Sequence, residues 1–474
     1  MLSGFKVSRL VFGNVVLKRM ISMRLKSALE LHEPCAPRPD SYPKWSSSPS
    51  ELFTELRDGH SIFLQGASST PNILMDALSE HVLNSDLKNL KLFQFYPLGP
   101  TPFLSDAFQG KIRLSTAYGS KYCRDAVNEG LADFIPITIS ELPLLYRLKH
   151  VNFKYALIMV SPPDKHGFCT LGSAVGSARS AIQNAEKIIA QVNPQTPITY
   201  GDSTIHISQI DYLVQGSEPL FEVPPPQATA TEQKIAAIIA EQLIDDGATI
   251  QLGFGNIPPT VASNLRSHKD LGVHAETIFD GIVDLVNLGV VTNKFKPVRP
   301  GRIVASYAIG TKRIYDFINE NPLVGLYDIA WTNSTETIAR NPKVTSVNTC
   351  MEMDLTGQSV GDGIGGHLYS GVGGQLDFTR GASLSSDGLG RPIITMCSLN
   401  SDGNSSIVPT LSRGSTVVAT RAHVHYVVTE YGIANLFGKT LRQRAYALIQ
   451  IAHPKFRESL EKAAFERLKT MPSP

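Results

Sequence analysis

Apolar residues along the chain form short runs that predict buried β-strands. The clearest runs are SIFLQG, YALIMV, ATIQLGFG, RIVASYAIG and TVVAT. Between several of them apolar residues recur at helical spacing, most clearly in TATEQKIAAIIAEQLIDDG. There Thr231 is placed to cap a helix and Gly247 to end it. Strands that alternate with helices predict parallel sheets, so the expected fold class is α/β.

One strand–loop–helix pattern occurs twice. IFLQGASSTPNILMDALSEH in the first half resembles IQLGFGNIPPTVASNLRSH in the second. In both, a strand ends at a glycine, and a proline placed to start a helix follows five residues later. The two pairs are Gly66 with Pro71 and Gly253 with Pro258. A proline-rich stretch, 218–233, is a predicted linker. We therefore expect two tandem, related open-sheet α/β domains at 30–217 and 234–474.

The stretch LGVHAETIFDG, 271–281, places a carboxylate where a buried strand needs an apolar residue. Glu276 interrupts the alternating apolar positions of a short strand. These positions are Leu271, Val273, Ala275 and Ile278. A carboxylate in such a place costs free energy unless it is paired or used in chemistry. The pattern alone leaves open a salt-bridged glutamate, a glutamate at a strand edge and a functional one.

Composition narrows the class of protein. A chain of 474 residues exceeds one ordinary core, and 42% hydrophobic with 18% charged residues is typical of globular proteins. A net charge of +2 is weaker than the basic footprint expected of a nucleic-acid-binding protein, and no apolar run approaches the ~20 residues of a membrane span. Five cysteines without CxxC spacing favour a reducing compartment and offer no zinc site. They are Cys35, Cys123, Cys169, Cys350 and Cys397.

The first 29 residues differ from the rest. The segment 1–29 contains six basic residues and no Asp or Glu, in an amphipathic pattern. The basic residues are Lys6, Arg9, Lys18, Arg19, Arg24 and Lys26. This composition is typical of a mitochondrial transit peptide, which predicts a matrix location, while a basic disordered tail is the alternative.

Two glycine-rich loops are candidate anion sites. GFGNIPP, 253–259, leads from a strand into a helix, where backbone N–H groups can receive an anion. It lacks the Lys-Ser/Thr of a P-loop and the third glycine of the dinucleotide fingerprint, so NAD is not indicated. DGIGGHLYSGVGGQLDF, 362–378, contains six glycines. Gly373 and Gly374 could present N–H groups to an oxyanion, or serve a tight turn only.

Other candidate residues have weaker patterns. His423 and His425 have the i, i+2 spacing that places both rings on one strand face, which suits either a metal or a structural role; no third ligand accompanies them. Asp202 and His206 are predicted turn and strand-edge residues. No GxSxG elbow occurs, and the cysteines lack a catalytic frame.

Taken in order, the motifs resemble the acetyl-CoA hydrolase/transferase family of class I CoA-transferases, which includes acetate:succinate and 4-hydroxybutyrate CoA-transferases. The resemblance covers nearly everything after the N-terminal segment, and the ordered set is far more specific than any one motif. The motifs are SPPDKHGFCTLG, YGDSTIHISQID, GFGNIP, GVHAETIFDG, SGVGGQLDF, SSIVPTL and TEYGIANLFGKTLRQRAYALIQIAHPKFR.

The resemblance implies the CoA-transferase fold, with an active site between the two domains. The position that matches the family's nucleophile is Glu276, which would carry a glutamyl-CoA thioester. Gly373 and Gly374 match the glycine loop that stabilises the oxyanion. The stretch matched to the CoA site is Gly253, Phe254, Gly255, Asn256 and Ile257. Coenzyme A is then a co-substrate, with no bound cofactor, no ATP and no metal.

One departure and several alternatives remain. Some family members have a CoA-contacting lysine after the glycine loop, whereas IITMCSLNSDGNSSIVP has none and nearby Arg391 is not a match. The expected reaction is acetyl-CoA with succinate, giving acetate and succinyl-CoA. An acetyl-CoA hydrolase, a 4-hydroxybutyrate CoA-transferase and a non-catalytic CoA or nucleotide sensor are the alternatives. The expected partners are acyl-CoA and short-chain carboxylates, with neither nucleic acid nor membrane, and the expected assembly is a homodimer.

Overall fold

A computed structural model describes residues 34–46 and 48–474. The predicted transit peptide, 1–29, lies outside these residues. In the part of the chain that is described, no helix has both the length and the apolar composition to cross a membrane.

The first half is built on an eight-stranded sheet in which every neighbouring pair is parallel. The runs SIFLQG and YALIMV lie in its central strands, as predicted. In spatial order the strands are Lys44–Trp45, Tyr212–Gln215, Lys187–Val192, Phe153–Val160, Ser61–Leu64, Leu90–Phe93, Ile112–Thr116 and Asp133–Phe134. The helices of this half are Pro49–Leu52, Asn72–Leu83, Arg124–Asn128, Leu142–Arg147 and Gly176–Ile182.

The second half contains a six-stranded sheet that is parallel except for its last strand. In spatial order the strands are Gly272–Val273, Thr249–Leu252, Thr345–Thr349, Arg391–Thr395, Tyr426–Thr429 and Gly432–Asn435. The helices are Ala230–Leu243, Ile257–Ser263, Asp280–Asn287, Lys312–Ile318, Ile329–Thr332, Thr335–Ala339, Gln375–Ser383, Leu441–Ile451 and Pro454–Leu468. The α/β prediction is confirmed.

The ends of the helix predicted around 230–247 differ from the sequence interpretation. Thr229, not Thr231, caps it, because the Thr229 hydroxyl accepts from the Glu232 N–H and the Glu232 carboxylate accepts from the Thr229 N–H. Residues 230–233 of the predicted linker are therefore helical. The helix ends at Leu243, and Gly247 lies in a later turn with φ +75°.

Smaller sheets connect the halves and complete the second one. A three-stranded parallel sheet takes strands from both halves. It contains Ile303–Ala305, Val324–Leu326 and Tyr200–Gly201. The others pair Thr277–Ile278 with Tyr307–Ala308, Phe168–Thr170 with Thr204–His206, and Gly363–Ile364 with His367–Leu368, and join Ile407–Val408, Glu352–Asp354, Ser359–Val360 and Val417–Ala419. One buried apolar cluster runs through both halves.

Two strand predictions need correction. RIVASYAIG forms two strands, because the chain turns at Ser306 to leave one small sheet and enter another. TVVAT forms a strand, but it lies in a small mixed sheet and Val417 is exposed. The apolar composition of both runs correctly predicted strands. The sheet that each strand joins depends on contacts with residues distant in sequence.

Candidate active site

Glu276 lies between the short strands Gly272–Val273 and Thr277–Ile278, and only 6% of it is exposed. Its carbonyl oxygen accepts from the N–H groups of Ser306 and Tyr307, at 2.9 and 3.0 Å. Among the described residues it forms no ion pair with a Lys or Arg. The described residues therefore give no support to the salt-bridge alternative, and within them the carboxylate needs another reason to be buried.

Two donors contact the Glu276 carboxylate. Asn333 Nδ2 donates to Oε2 at 3.0 Å, and the Gly374 backbone N–H also donates to this carboxylate. A Cβ at Gly374 would lie 2.1 Å from Oε2, so only glycine permits this approach. Burial raises the pKa of Glu276 to about 7; the two hydrogen bonds oppose this, and the neighbouring Asp377 charge adds to it.

Asp377 links this carboxylate to the first half of the chain. It accepts from Asn333 Nδ2 at 3.2 Å and from the Ser140 hydroxyl at 2.8 Å. Burial raises its pKa to about 6, against the hydrogen bonds from Ser140 and Asn333. The N–H of Ile139 donates to the Gly373 carbonyl oxygen at 3.0 Å. Residues of the first half thus hold the glycine loop and Asp377 behind Glu276.

A cavity of about 150 Å³ opens beside Glu276 between the halves. Both glycine loops line it, together with Tyr118 from the first half. The Phe254 ring lies 5.5 Å from that of Tyr96 and 5.8 Å from that of Tyr118, as centroid distances. These rings and the buried walls restrict water around the carboxylate, which strengthens electrostatic interactions there.

The structure brings together most of the residues that the resemblance assigned to one site. Glu276, Gly373 and Gly374 line the cavity with Gly253, Phe254 and Gly255. Asn256 and Ile257 are not among the lining residues. The Asn256 amide instead donates to Glu232 at 2.9 Å, and Ile257 is buried at the start of its helix.

The weaker candidates lie elsewhere. His423 and His425 precede the strand Tyr426–Thr429, so their predicted placement on a strand face is wrong; the centroid of the His425 ring lies 4.3 Å from that of Phe437. Asp202 lies in a turn and His206 at a strand end, as predicted. Arg391 forms an ion pair with Asp245 at 3.0 Å. Among the described residues, no group of three or more His, Cys, Asp or Glu side chains could hold a metal ion.

Sequence reasoning missed Asn333, Tyr118 and Ser140. Asn333 follows the one-turn helix Ile329–Thr332, in a segment without a distinctive pattern. Tyr118 and Ser140 reach the site only because the two halves pack together. Asp377 was within reach, since it belongs to the quoted motif SGVGGQLDF and is acidic in a buried helix.

Comparison with known proteins gives matches over both halves. The family descriptions acetyl-CoA hydrolase/transferase N-terminal domain and C-terminal domain match residues 36–224 and 310–464. Glu276 falls between the two matched ranges. The chain is 53% identical to a succinyl-CoA:acetate/propanoyl-CoA:succinate CoA transferase of Fasciola hepatica, over 93% of this chain and 92% of that protein.

Two further proteins match this chain over most of their length. A 4-hydroxybutyrate coenzyme A transferase of Clostridium kluyveri is 44% identical, over 81% of this chain and 90% of that protein. The crystal structure of RipA from Yersinia pestis is 31% identical, with a TM-score of 0.84, covering 90% of this chain and 98% of that one.

Proposed function

Because the chain belongs to the acetyl-CoA hydrolase/transferase family and is a CoA-transferase, we propose that Glu276 is its nucleophile. The observation that carries this proposal is the state of the carboxylate. It is buried, opens to the inter-half cavity, contacts two donors and forms no ion pair with any described residue. A structural glutamate would be paired, whereas a nucleophile must stay free on one side to reach a substrate carbonyl.

The proposed reaction proceeds through two covalent intermediates. A Glu276 oxygen attacks the thioester carbonyl carbon, CoA thiolate leaves with the electron pair, and an acyl-glutamyl anhydride forms. The thiolate then attacks the glutamyl carbonyl carbon and releases the first acid as a carboxylate, which leaves a glutamyl-CoA thioester. A second carboxylate reverses both steps. Coenzyme A is the co-substrate, and the thioester energy is conserved, so ATP is not required.

The two donors on Glu276 suit this chemistry. When the glutamyl carbonyl carbon is attacked, its oxygen becomes an oxyanion close to where the carboxylate oxygen was. The Asn333 amide already donates to Oε2, and the Gly374 N–H donates to the same carboxylate. Donors that are held in place before the reaction stabilise the transition state without reorganisation. Gly373 supports the loop through its carbonyl oxygen, which accepts from Ile139.

The proposed substrates are acetyl-CoA and succinate. The Fasciola relative, at 53% identity, supports this pair, and the Clostridium relative keeps 4-hydroxybutyrate as the second candidate. One methylene alters selectivity by only ~1–3 kcal/mol, so the two acids must be compared directly. A product assay with acetyl-CoA and each acid in turn ranks them by kcat/KM.

Transfer and hydrolysis differ in the acceptor alone. We expect succinyl-CoA to form from acetyl-CoA only when succinate is present, with little free CoA. The cavity walls restrict water, which is the competing acceptor. Free CoA released at the same rate with and without succinate would contradict a transferase and favour the hydrolase. A protein that binds acetyl-CoA without either product would support the sensor alternative.

We also propose that residues 1–29 direct the protein to the mitochondrial matrix, on their basic and acid-free composition. A fluorescent protein fused after residue 29 should co-localise with a matrix marker, and the same fusion with the six basic residues changed to Gln should not.

A homodimer is proposed as the assembly. Light scattering at micromolar concentration should give about twice the mass of 51.6 kDa.

A further inference from the structure

The cavity beside Glu276 has no cation among its described lining residues. A monocarboxylic acid needs none beyond the reaction centre, because its single carboxyl group is consumed in the acyl transfer. A dicarboxylic acid keeps a second carboxylate, which would be costly to desolvate unless a cation met it. An enzyme that handles such an acid therefore requires a positive group near the cavity opening.

Arg124 lies next to a residue that lines the cavity. It is the first residue of the helix Arg124–Asn128 in the first half. Its guanidinium carbon lies 3.8 Å from the ring centroid of Tyr369, which lines the cavity from the second half. A guanidinium stacked on a ring keeps its N–H edge available for a further ligand.

The place of Arg124 is fixed by contacts between the halves. The Asn128 amide donates to the Leu368 carbonyl oxygen at 3.0 Å, and its oxygen accepts from the Leu368 N–H at 2.8 Å. The Gly119 N–H donates to the Ser370 carbonyl oxygen at 2.7 Å. The helix with Arg124 and the loop with Tyr369 are thus joined on both sides of the stack.

The guanidinium has unused donors. None of the ion pairs between described residues includes Arg124. Its Nε is buried and has no hydrogen-bond partner. No hydrogen bond between described residues uses its two Nη groups, and a bound carboxylate could pair with these two groups side by side.

The charge of Arg124 acts on the aromatic wall next to Glu276. Burial raises the pKa of Tyr96 to about 12, and the Arg124 charge opposes this. Burial likewise raises the pKa of Tyr118, again with Arg124 in opposition. The two rings lie 5.0 Å apart, and Tyr118 lines the cavity. The Arg124 guanidinium is thus close enough to act electrostatically on both rings, as well as contacting Tyr369.

We propose that Arg124 binds the distal carboxylate of a dicarboxylic acyl group, while Glu276 reacts with the carboxyl group at the other end. This inference rests on the proposed function of the site and assigns its substrate class. Arg124 then selects dicarboxylic acids by added binding, and monocarboxylic acids bind without its help. The same guanidinium could meet a phosphate group of CoA, and the test separates the two sources of negative charge.

The test is acceptor kinetics of Arg124→Gln, with acetyl-CoA as donor and succinate or propanoate as acceptor. We expect the KM for succinate to rise roughly tenfold to a hundredfold more than that for propanoate, since a charge-assisted bidentate pair is lost. Arg124→Lys keeps the charge without the bidentate fork and should recover part of the difference. Lys121→Gln removes a nearby exposed charge and should leave the ratio of the two KM values unchanged.

Several results would overturn the inference. Equal changes in the KM values for succinate and propanoate, together with a raised KM for acetyl-CoA, would assign Arg124 to the CoA phosphates instead. Unchanged constants in Arg124→Gln would remove Arg124 from substrate binding. Thermal unfolding shows whether Arg124→Gln is folded. If it is not, Arg124→Lys is the deciding variant, because an unchanged ratio of the two KM values in Arg124→Lys would contradict bidentate recognition. The KM ratio is measurable whichever residue is the nucleophile, so failure here does not depend on Glu276.

Discussion

The loops that follow Gly66 and Gly253 have the same topology and different surroundings. Each leaves a parallel strand and enters a helix, Asn72–Leu83 in the first half and Ile257–Ser263 in the second. The loop after Gly253 lines the cavity. In the loop after Gly66, Ser68 Oγ lies 2.6 Å from the Tyr315 hydroxyl and Ser69 Oγ lies 3.1 Å from Ser173 Oγ. The hydroxyl groups of Ser68 and Ser69 in the first loop therefore form hydrogen bonds within the protein.

The strand register extends this comparison to the nucleophile. Four residues before Gly253, Thr249 pairs with Gly272; four residues before Gly66, Ile62 pairs with Leu92. Four residues after Gly272 lies Glu276 in the second half, and four residues after Leu92 lies Tyr96 in the first. One fold thus offers two equivalent positions, and chemistry is proposed at the one that holds a carboxylate with donors around it.

The largest expected effect comes from removing the carboxylate. Glu276→Gln should lower CoA transfer by on the order of 10⁴-fold or more, because an amide cannot form the anhydride. Steady-state assays measure the loss, and Glu80→Gln, an exposed change in the first half, should retain activity. Residual transfer above a few per cent would contradict the role of Glu276.

Gly374→Ala should have the next largest effect. The added Cβ would lie 2.1 Å from Glu276 Oε2 and displace the backbone donor, which predicts a roughly 10²- to 10³-fold lower kcat. Gly66→Ala is the matched change in the other loop, where the nearest atom is the Tyr96 carbonyl oxygen at 3.1 Å. We expect Gly66→Ala to lower kcat by less than about fivefold. Equal losses in the two variants would remove the distinction between the loops.

Acidification should produce a smaller loss. Only ionised Glu276 attacks, and burial has raised its pKa to about 7, so activity should fall roughly tenfold per pH unit below that value. Asp377, with a pKa of about 6, shares Asn333 with Glu276, so the observed value belongs to the pair. A kcat/KM for acetyl-CoA that stays flat from pH 5.5 to 8 would contradict this account.

The smallest effect is expected in the first loop. Tyr315→Phe removes the hydroxyl that contacts Ser68 and the Phe221 carbonyl oxygen. It should lower the free energy of unfolding by about 1–2 kcal/mol, through the lost hydrogen bond. Denaturant unfolding measures this change. The transfer rate at 25 °C should stay near wild type, and a large kinetic loss would show that the first loop also serves the reaction.

Local pattern predicted much of the fold, and contact between distant residues decided the rest. SIFLQG and ATIQLGFG formed strands as expected because parallel strands buried on both faces are continuously apolar. The helix cap was predicted two residues too late, at Thr231 instead of Thr229, because both threonines precede the same apolar pattern. Glu276 was visible as an interruption of an apolar run, whereas Asn333 on Glu276 and Ser140 on Asp377 join the site only through the packing of separate segments.

The most direct test of the account is to trap the covalent intermediate. The full chain would be incubated with acetyl-CoA, without an acceptor acid, and digested for mass spectrometry of the peptide with Glu276. We predict a mass increase equal to CoA minus water on Glu276, lost on addition of succinate as succinyl-CoA appears. An active enzyme with an unmodified Glu276 peptide, or with CoA attached to another residue, would contradict the assignment of the nucleophile.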